Sequence, residues 1–153
     1  MRRVQALLPN WGDEVQSDGE ETTSVTLRRG ACFGTCPIYK VTLSSDGTAI
    51  WNGERFVERI GRYRGEIDLD DYWRLVRFIE RAGFLHFDDE YLGNVTDLPD
   101  YRLTVVSGGT TKSVLQNGVD EPADFWVIAT LVDALAESVD WSPVPAEAAQ
   151  DAR

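Results

Sequence analysis

Hydrophobic and polar residues alternate along the first third of the chain, which is the pattern of β-strands with one buried face. The alternation predicts strands over residues 23–29, 38–44 and 48–51. Ser45-Asp46-Gly47 predicts a hairpin turn between the second and third of these strands. Asn52-Gly53 predicts a further turn, and residues 54–67 then supply one more strand or two.

The spacing of apolar residues becomes helical after Asp68, which we predict to cap a helix that ends at Gly83. Strands are predicted again over 101–106 and 111–116, joined by a turn at Ser107-Gly108-Gly109. A second helix follows, with Asp120 or Glu121 as its predicted cap. Its apolar stripe is Phe125, Ile128, Ala129, Val132, Leu135, Ala136 and Val139, and Trp141 is predicted to close the core.

Residues 39–48 and 101–110 align without a gap, and each segment is a predicted hairpin that leads on to a helix. Two hairpin-plus-helix halves would explain this similarity, and shared strand propensity is the alternative explanation. The predicted fold is therefore α+β. We expect a largely antiparallel sheet of about six strands with both helices on one face, in the order β-β-β-β-α-β-β-α.

The length of 153 residues indicates one domain, which we place at residues 22–141. Residues 1–21 are expected to form a flexible acidic arm, and residues 142–153 a disordered tail. The apolar run near the N-terminus is too short for the core of a signal peptide, which predicts a cytoplasmic protein. A chain whose export signal had been removed would look the same.

A net charge of -11 disfavours nucleic acid and anionic membranes as partners, because both would be repelled. The expected partner is an unknown protein or small molecule, and the expected oligomeric state is a monomer or a homodimer. No motif indicates a cofactor, a resident metal or a catalytic set. Asp88, Asp89 and Glu90 lack the spacing of a calcium loop and are expected to be solvated.

Both cysteines lie in Cys32-Phe33-Gly34-Thr35-Cys36-Pro37, between the first two predicted strands. Four interpretations are open: two structural thiols, a disulfide, a redox or nucleophilic thiol, and a metal site. Arg28 and Arg29 could lower a thiol pKa. The C-x-x-x-C spacing differs from that of thioredoxin-like sites, and nothing in the sequence places the single histidine, His86, near the cysteines.

The same stretch, with Tyr39 on the strand that follows it, resembles an uncharacterised bacterial domain family with a C-F-G-x-C-P signature. Thr96-Asp97-Leu98-Pro99 matches a later Thr-Asp-x-Pro of that family, and the resemblance extends over about residues 23–141. It implies no assigned reaction. Many members look exported or lipid-anchored, which would favour a Cys32–Cys36 disulfide, and this chain departs from them by showing no evident signal.

Two classes of function follow from these observations. The first is a non-catalytic binding or protein-interaction module that uses an exposed sheet face or edge strand. The second is a thiol-dependent protein that uses the cysteine stretch as a redox disulfide, a metal site or a nucleophile. The candidate thiol or disulfide residues are Cys32 and Cys36, and the candidate supporting residues are Phe33, Gly34, Pro37, Tyr39 and Asp97.

Overall fold

Alternating burial along the long strands places one face of a single sheet against two helices. The computed structural model describes residues 21–94 and 98–145. The helices of these ranges are α1 (Leu69–Ala82) and α2 (Ala123–Glu137), with a short 3-10 helix at Phe84–His86. The strands are β1 (Thr22–Arg29), β2 (Ile38–Ser44), β3 (Thr48–Arg55), β4 (Gly61–Glu66), β5 (Glu90–Tyr91), β6 (Tyr101–Ser107), β7 (Thr110–Gln116) and β8 (Ser142–Pro143).

Within the described ranges the sheet has eight strands in the order β5-β7-β6-β1-β2-β3-β4-β8, and only β5 and β7 of these strands pair in parallel. The predicted α+β class and element order are confirmed, with the two-residue strands β5 and β8 added. The sheet extends to Pro143, two residues past the predicted domain boundary. Residues 1–20 of the predicted arm and residues 146–153 of the predicted tail fall outside the described residues. Neither described helix combines the length and apolarity that a membrane crossing requires.

β1 is the central strand, and it pairs in antiparallel register with β2 on one side and β6 on the other. The two segments that align in the sequence take equivalent places in these ladders. Thr26 faces Thr42 on one side and Thr104 on the other, and Leu27 faces Val41 and Leu103. The gapless alignment therefore corresponds to two hairpins that flank one shared strand.

The core lies between the helices and the face of the sheet that carries Leu27 and its neighbours. Side chains at alternate strand positions are fully buried there, and both helices contribute their apolar stripes. Trp141 packs against this core, with its indole N–H donating to the carbonyl oxygen of Ala136 at 3.0 Å. The buried core residues of the central strands and helices include Val25, Leu27, Val41, Leu43, Leu103, Val105, Tyr72, Val76, Ile79, Phe125, Ile128 and Val132.

The predicted turn at Asn52-Gly53 is wrong, because both residues lie inside β3. Asn52 pairs with Arg62 and Gly53 pairs with Gly61 on the neighbouring strand, so the chain turns later, over residues 56–60. Gly53 is required there for a different reason. A Cβ atom on it would lie 1.8 Å from the carbonyl oxygen of Arg59, so the returning loop can pack only against a glycine.

The predicted cap of α2 is also wrong. Pro122 occupies the N-cap position and makes no side-chain capping bond. Glu121 accepts a hydrogen bond from the indole N–H of Trp126 instead. The Glu121 carboxylate therefore lies near the start of the helix, but its partner is an aromatic side chain of the first turns rather than the helix backbone.

The predicted limits of α1 are confirmed. The Asp68 carboxylate accepts from the backbone N–H of Asp71 at 3.1 Å, and Gly83 ends the helix in the left-handed conformation, with φ of 73°. We expect Asp68→Ala to lower the free energy of unfolding by about 1 kcal/mol, the usual effect of losing an N-cap. Urea unfolding measures this. Asp68→Asn is the matched control, and it should retain most of the stability because its amide oxygen still accepts. An equal loss in both variants would contradict the capping role.

Candidate functional site

The cysteine loop, residues 30–37, joins β1 to β2 at one end of the sheet. Cys32 and Cys36 form a disulfide with a Cα–Cα separation of 5.7 Å, and both residues are half-buried. Of the four interpretations of this stretch, the structure therefore has the disulfide. In this form neither sulfur is available as a thiolate nucleophile or metal ligand.

The tip of this loop is exposed and aromatic. Phe33 has 90% of its surface exposed, far more than any other large apolar side chain among the described residues. Gly34 follows it with φ of 152°, a region that favours glycine, and its N–H donates to the carbonyl oxygen of Cys32 at 3.0 Å. The half-buried Pro37 leads the chain into β2. The loop thus holds a solvated phenyl ring next to a covalent cross-link.

The first residue of the loop is held by the segment that precedes β6. The N–H of Gly30 donates to the carbonyl oxygen of Asp100 at 2.8 Å. A Cβ atom on Gly30 would lie 1.9 Å from the Asp100 carboxylate, so the side chain of Asp100 packs directly against this glycine. Asp97, the sequence candidate for this position, lies outside the described residues. Asp100 is the described carboxylate at the loop.

Tyr39, the second residue of β2, connects the base of the loop to α2. Its ring stacks on Trp51 with centroids 4.7 Å apart, and its hydroxyl donates to Oδ1 of Asp133 at 2.7 Å. Burial and the Asp133 carboxylate raise the pKa of Tyr39 well above its ordinary value. The phenol therefore stays protonated at neutral pH, and it acts as a hydrogen-bond donor between sheet and helix.

Asp133 is a site residue that was not predicted from the sequence, and Arg29, predicted as a positive charge near the thiols, lies beside a tyrosine ring instead. Burial raises the pKa of the Asp133 carboxyl, and Glu137 adds to the increase; the Tyr39 hydrogen bond and the Arg29 charge oppose it. The guanidinium of Arg29 lies over the ring of Tyr101, 5.1 Å from its centroid. The available sequence signal was the position of Asp133, one helical turn after Ala129 at the border of the apolar stripe.

A second loop, residues 56–60, lies beside the cysteine loop because β3 and β2 are neighbours and Ile38 pairs with Arg55. Phe56 and Ile60 in this loop are 45% and 57% exposed. Phe56 also has a φ of 58°, which is uncommon for a large side chain and signals local strain. We call the cysteine loop and residues 56–60 together the loop end of the sheet.

The structure thus brings the described sequence candidates together in one loop and the strand that follows it. Within the described ranges, no group of three or more His, Cys, Asp or Glu side chains is placed to hold a metal ion. Asp89, from the acidic sequence cluster, accepts from the ammonium of Lys112 at 2.7 Å. The arrangement braces the loop end and presents its apolar side chains to solvent.

These features define an α+β domain with a disulfide-closed loop at one end of its sheet. The chain belongs to the family described as a domain of unknown function (DUF6438), whose match covers residues 23–136. The match runs from β1 into the last turn of α2, so it includes the cysteine loop, Tyr39 and Asp133. The expected membership of a family without an assigned function is confirmed. No curated protein matches the chain.

The raised pKa of Asp133 predicts a specific pH dependence of stability. The folded-state pKa of Asp133 lies above the unfolded value of about 3.8, so the Asp133 carboxyl keeps its proton to higher pH in the folded protein than in the unfolded chain. Its stability relative to Asp133→Asn should therefore fall as pH rises above about 4, and level off above the folded pKa. Urea unfolding at a series of pH values measures this. Tyr39→Phe should enlarge the fall, because it removes a hydrogen bond that lowers the Asp133 pKa. A difference that grows in the opposite direction would contradict the assignment.

Proposed function

We propose that the protein is a non-catalytic binding module that contacts a protein partner through the loop end of its sheet. The observation that carries the proposal is the 90% exposure of Phe33 in a loop closed by a disulfide. Binding becomes more favourable when a partner covers an exposed phenyl ring, because apolar surface is then removed from water. Phe56 and Ile60 on the adjacent loop extend the apolar surface.

The contacts that hold the cysteine loop in place favour its use as a binding surface. Ordering a flexible loop on binding costs conformational entropy, and a cross-link between Cys32 and Cys36 reduces that cost in advance. The Gly30–Asp100 contact and the Tyr39–Asp133 hydrogen bond anchor the segment on both sides. Aromatic side chains at the centre of an interface commonly contribute most of the binding free energy. Phe33 has the properties of such an anchor residue.

Selection of peptides from a random phage-displayed library on the immobilised protein tests the proposal. We expect enriched peptides with apolar residues, and we expect Phe33→Ser to weaken their binding at least about tenfold, because the ring would be the anchor. Isothermal titration with synthetic copies of the peptides gives the dissociation constants. Leu85→Ser is the matched control, since Leu85 is 41% exposed on the 3-10 helix rather than at the loop end. Peptides that bind Phe33→Ser as tightly as the original protein would refute the proposal, as would a library that yields no specific binder.

The disulfide supports a second candidate function, a thiol-dependent protein. Reduction of the Cys32–Cys36 bond by a dithiol would take up two electrons and two protons and give two thiols, while the reductant is oxidised to its own disulfide. The cross-link closes a short loop in which both cysteines are half-buried and residues 33–35 are exposed. The cysteine loop would then be a redox switch instead of a structural brace.

A reduction potential distinguishes the two functions. For the binding module we expect no alkylation of the unfolded, unreduced protein and a potential below about -300 mV, as in structural disulfides. Equilibration with thiol–disulfide buffers followed by intact mass measures both. We also expect Cys32→Ala/Cys36→Ala to lower the free energy of unfolding by no more than about 2 kcal/mol, because the loop is short. A potential well above -300 mV, in the range of about -180 to -270 mV of thiol oxidoreductases, would favour the redox switch instead.

A further inference from the structure

The face of the sheet that points away from the helices carries a row of cations next to the loop end. We propose that this row binds an acidic segment of a polypeptide partner. The inference rests on the proposed function and deepens it, because it names the charge and extent of what is bound. We define the cation row as four cations and one amide, which are Arg102, Arg28, Lys40, Asn52 and Arg62 in the order in which the strands cross the sheet.

The strand registers place these residues directly opposite one another. Arg28 on β1 pairs with Arg102 on β6 and with Lys40 on β2; Asn52 on β3 pairs with Lys40 and with Arg62 on β4. Arg102, Arg28, Lys40 and Asn52 each lie next to a buried position such as Leu27 or Val41, so they share the face opposite the described helices. Arg62 shares that face because it pairs with Asn52. The row is therefore set by backbone pairing and does not depend on the rotamers of long side chains.

A row of like charges is unfavourable to the sheet, because directly opposed cations on adjacent strands repel one another. It is also unexpected in a chain of net charge -11, where carboxylates outnumber cations. Lys40 and Arg102 take equivalent places in the two hairpins that flank β1, so the charge recurs at both positions. An anion bound across the row would remove the repulsion.

Most of the row is available for such a ligand. Arg28 forms an exposed ion pair with Glu54 at 3.0 Å, which neutralises one charge. Lys40 and Arg62 have no ion-pair partner within residues 21–94 and 98–145. Arg28, Lys40, Asn52 and Arg62 line a depression of about 420 Å³ on this face, together with Glu54 and two glycines. Arg102 also has no ion pair within these ranges, and it donates to the hydroxyl of Ser113 at 3.0 Å. The amide of Asn52 adds a neutral donor between Lys40 and Arg62.

The extent of the row indicates the kind of ligand. Five strands at the usual spacing of about 4.8 Å span about 19 Å, which is longer than a single phosphate or a small carboxylic acid. Nucleic acid and anionic membrane carry charge over a far larger area and would be repelled by the rest of this acidic protein. A peptide meets the row locally, within the screening length of about 8 Å at physiological salt.

The row also continues into the loop end. Arg28 lies two residues before the cysteine loop and Lys40 three residues after it, and Arg62 lies two residues after the end of residues 56–60. A segment with apolar residues beside acidic ones would therefore contact Phe33 and the cation row together. The apolar loops supply the anchor, and the cations select for carboxylates.

Titration of the isotope-labelled full chain with hexaglutamate tests this inference by NMR, with hexaglutamine as the neutral control. We expect saturable backbone shifts at Arg28, Lys40, Asn52 and Arg62, and no saturation with hexaglutamine. Neutralisation in Lys40→Gln/Arg62→Gln should raise the dissociation constant at least about fivefold, because two of the three cations without an ion pair are lost. The matched control Arg74→Gln/Arg81→Gln removes the same charge from the exposed side of α1 and should change it less than about twofold.

Several results would overturn the inference: shifts centred elsewhere, equal binding of hexaglutamine, no shift at millimolar peptide, or equal effects of the two variant pairs. The single variant Lys40→Gln changes an exposed side chain and keeps the test valid if the double variant does not fold. The proposed function and this inference are refuted by different results. If library peptides depend on Phe33 while hexaglutamate does not bind, the loop end remains a binding surface and only the acidic ligand is excluded.

Discussion

The pairing of β1 on both of its edges is the constraint on which the rest of the structure depends. β2 follows it immediately in the chain, whereas β6 arrives only after α1 and a long connection. Neither hairpin can bury its apolar face until β1 lies between them. Val25 and Leu27 consequently have no exposed surface, and the helices pack over this central strand. Because the pairing of β1 with β6 joins distant parts of the chain, folding must close a large loop before it gains these contacts.

The shared strand also explains where the functional features lie. Arg29, the last residue of β1, pairs with Tyr39 on one side and with Tyr101 on the other. Each of the two hairpins therefore places a tyrosine opposite the same arginine. The cysteine loop is the direct continuation of that end. One residue earlier, Arg28 has a cation on each side. A single strand thereby sets the spacing of both the aromatic and the cationic positions.

Features that depend on neighbours in sequence could be predicted from the sequence. The limits of α1 followed from Asp68 and Gly83, because capping and helix termination are local effects. Asn52-Gly53 carries the same kind of local signal, yet the pairing of β3 with β4 overrides it, and Gly53 serves the close approach of Arg59 instead. Turn propensity is weaker than a completed ladder of hydrogen bonds and the packing that accompanies it.

The candidate site likewise has residues that could be predicted from the sequence and residues that only the fold brings together. The cysteine motif and Tyr39 were recognisable because they lie within one short stretch of sequence. Asp133 comes from the other end of the domain, and its contact with Tyr39 exists only once α2 lies on the sheet. The cation row was equally hidden, because its members are separated in sequence and become neighbours only through strand register.

The two-residue strands at the margins of the sheet have a consequence for how this protein behaves in concentrated solution. A long, open edge strand presents unpaired backbone groups that can pair with another molecule and begin aggregation. Here β5 covers one margin and β8 the other, and β8 contains Pro143, which has no N–H to donate. β5 pairs with Leu115 and Gln116 of β7, and β8 pairs with Tyr63 and Arg64 of β4, so each described margin is covered over two residues of the strand beside it. Strand addition by a neighbouring molecule is thereby hindered at these covered positions, and a partner that binds there must recognise side chains rather than backbone groups.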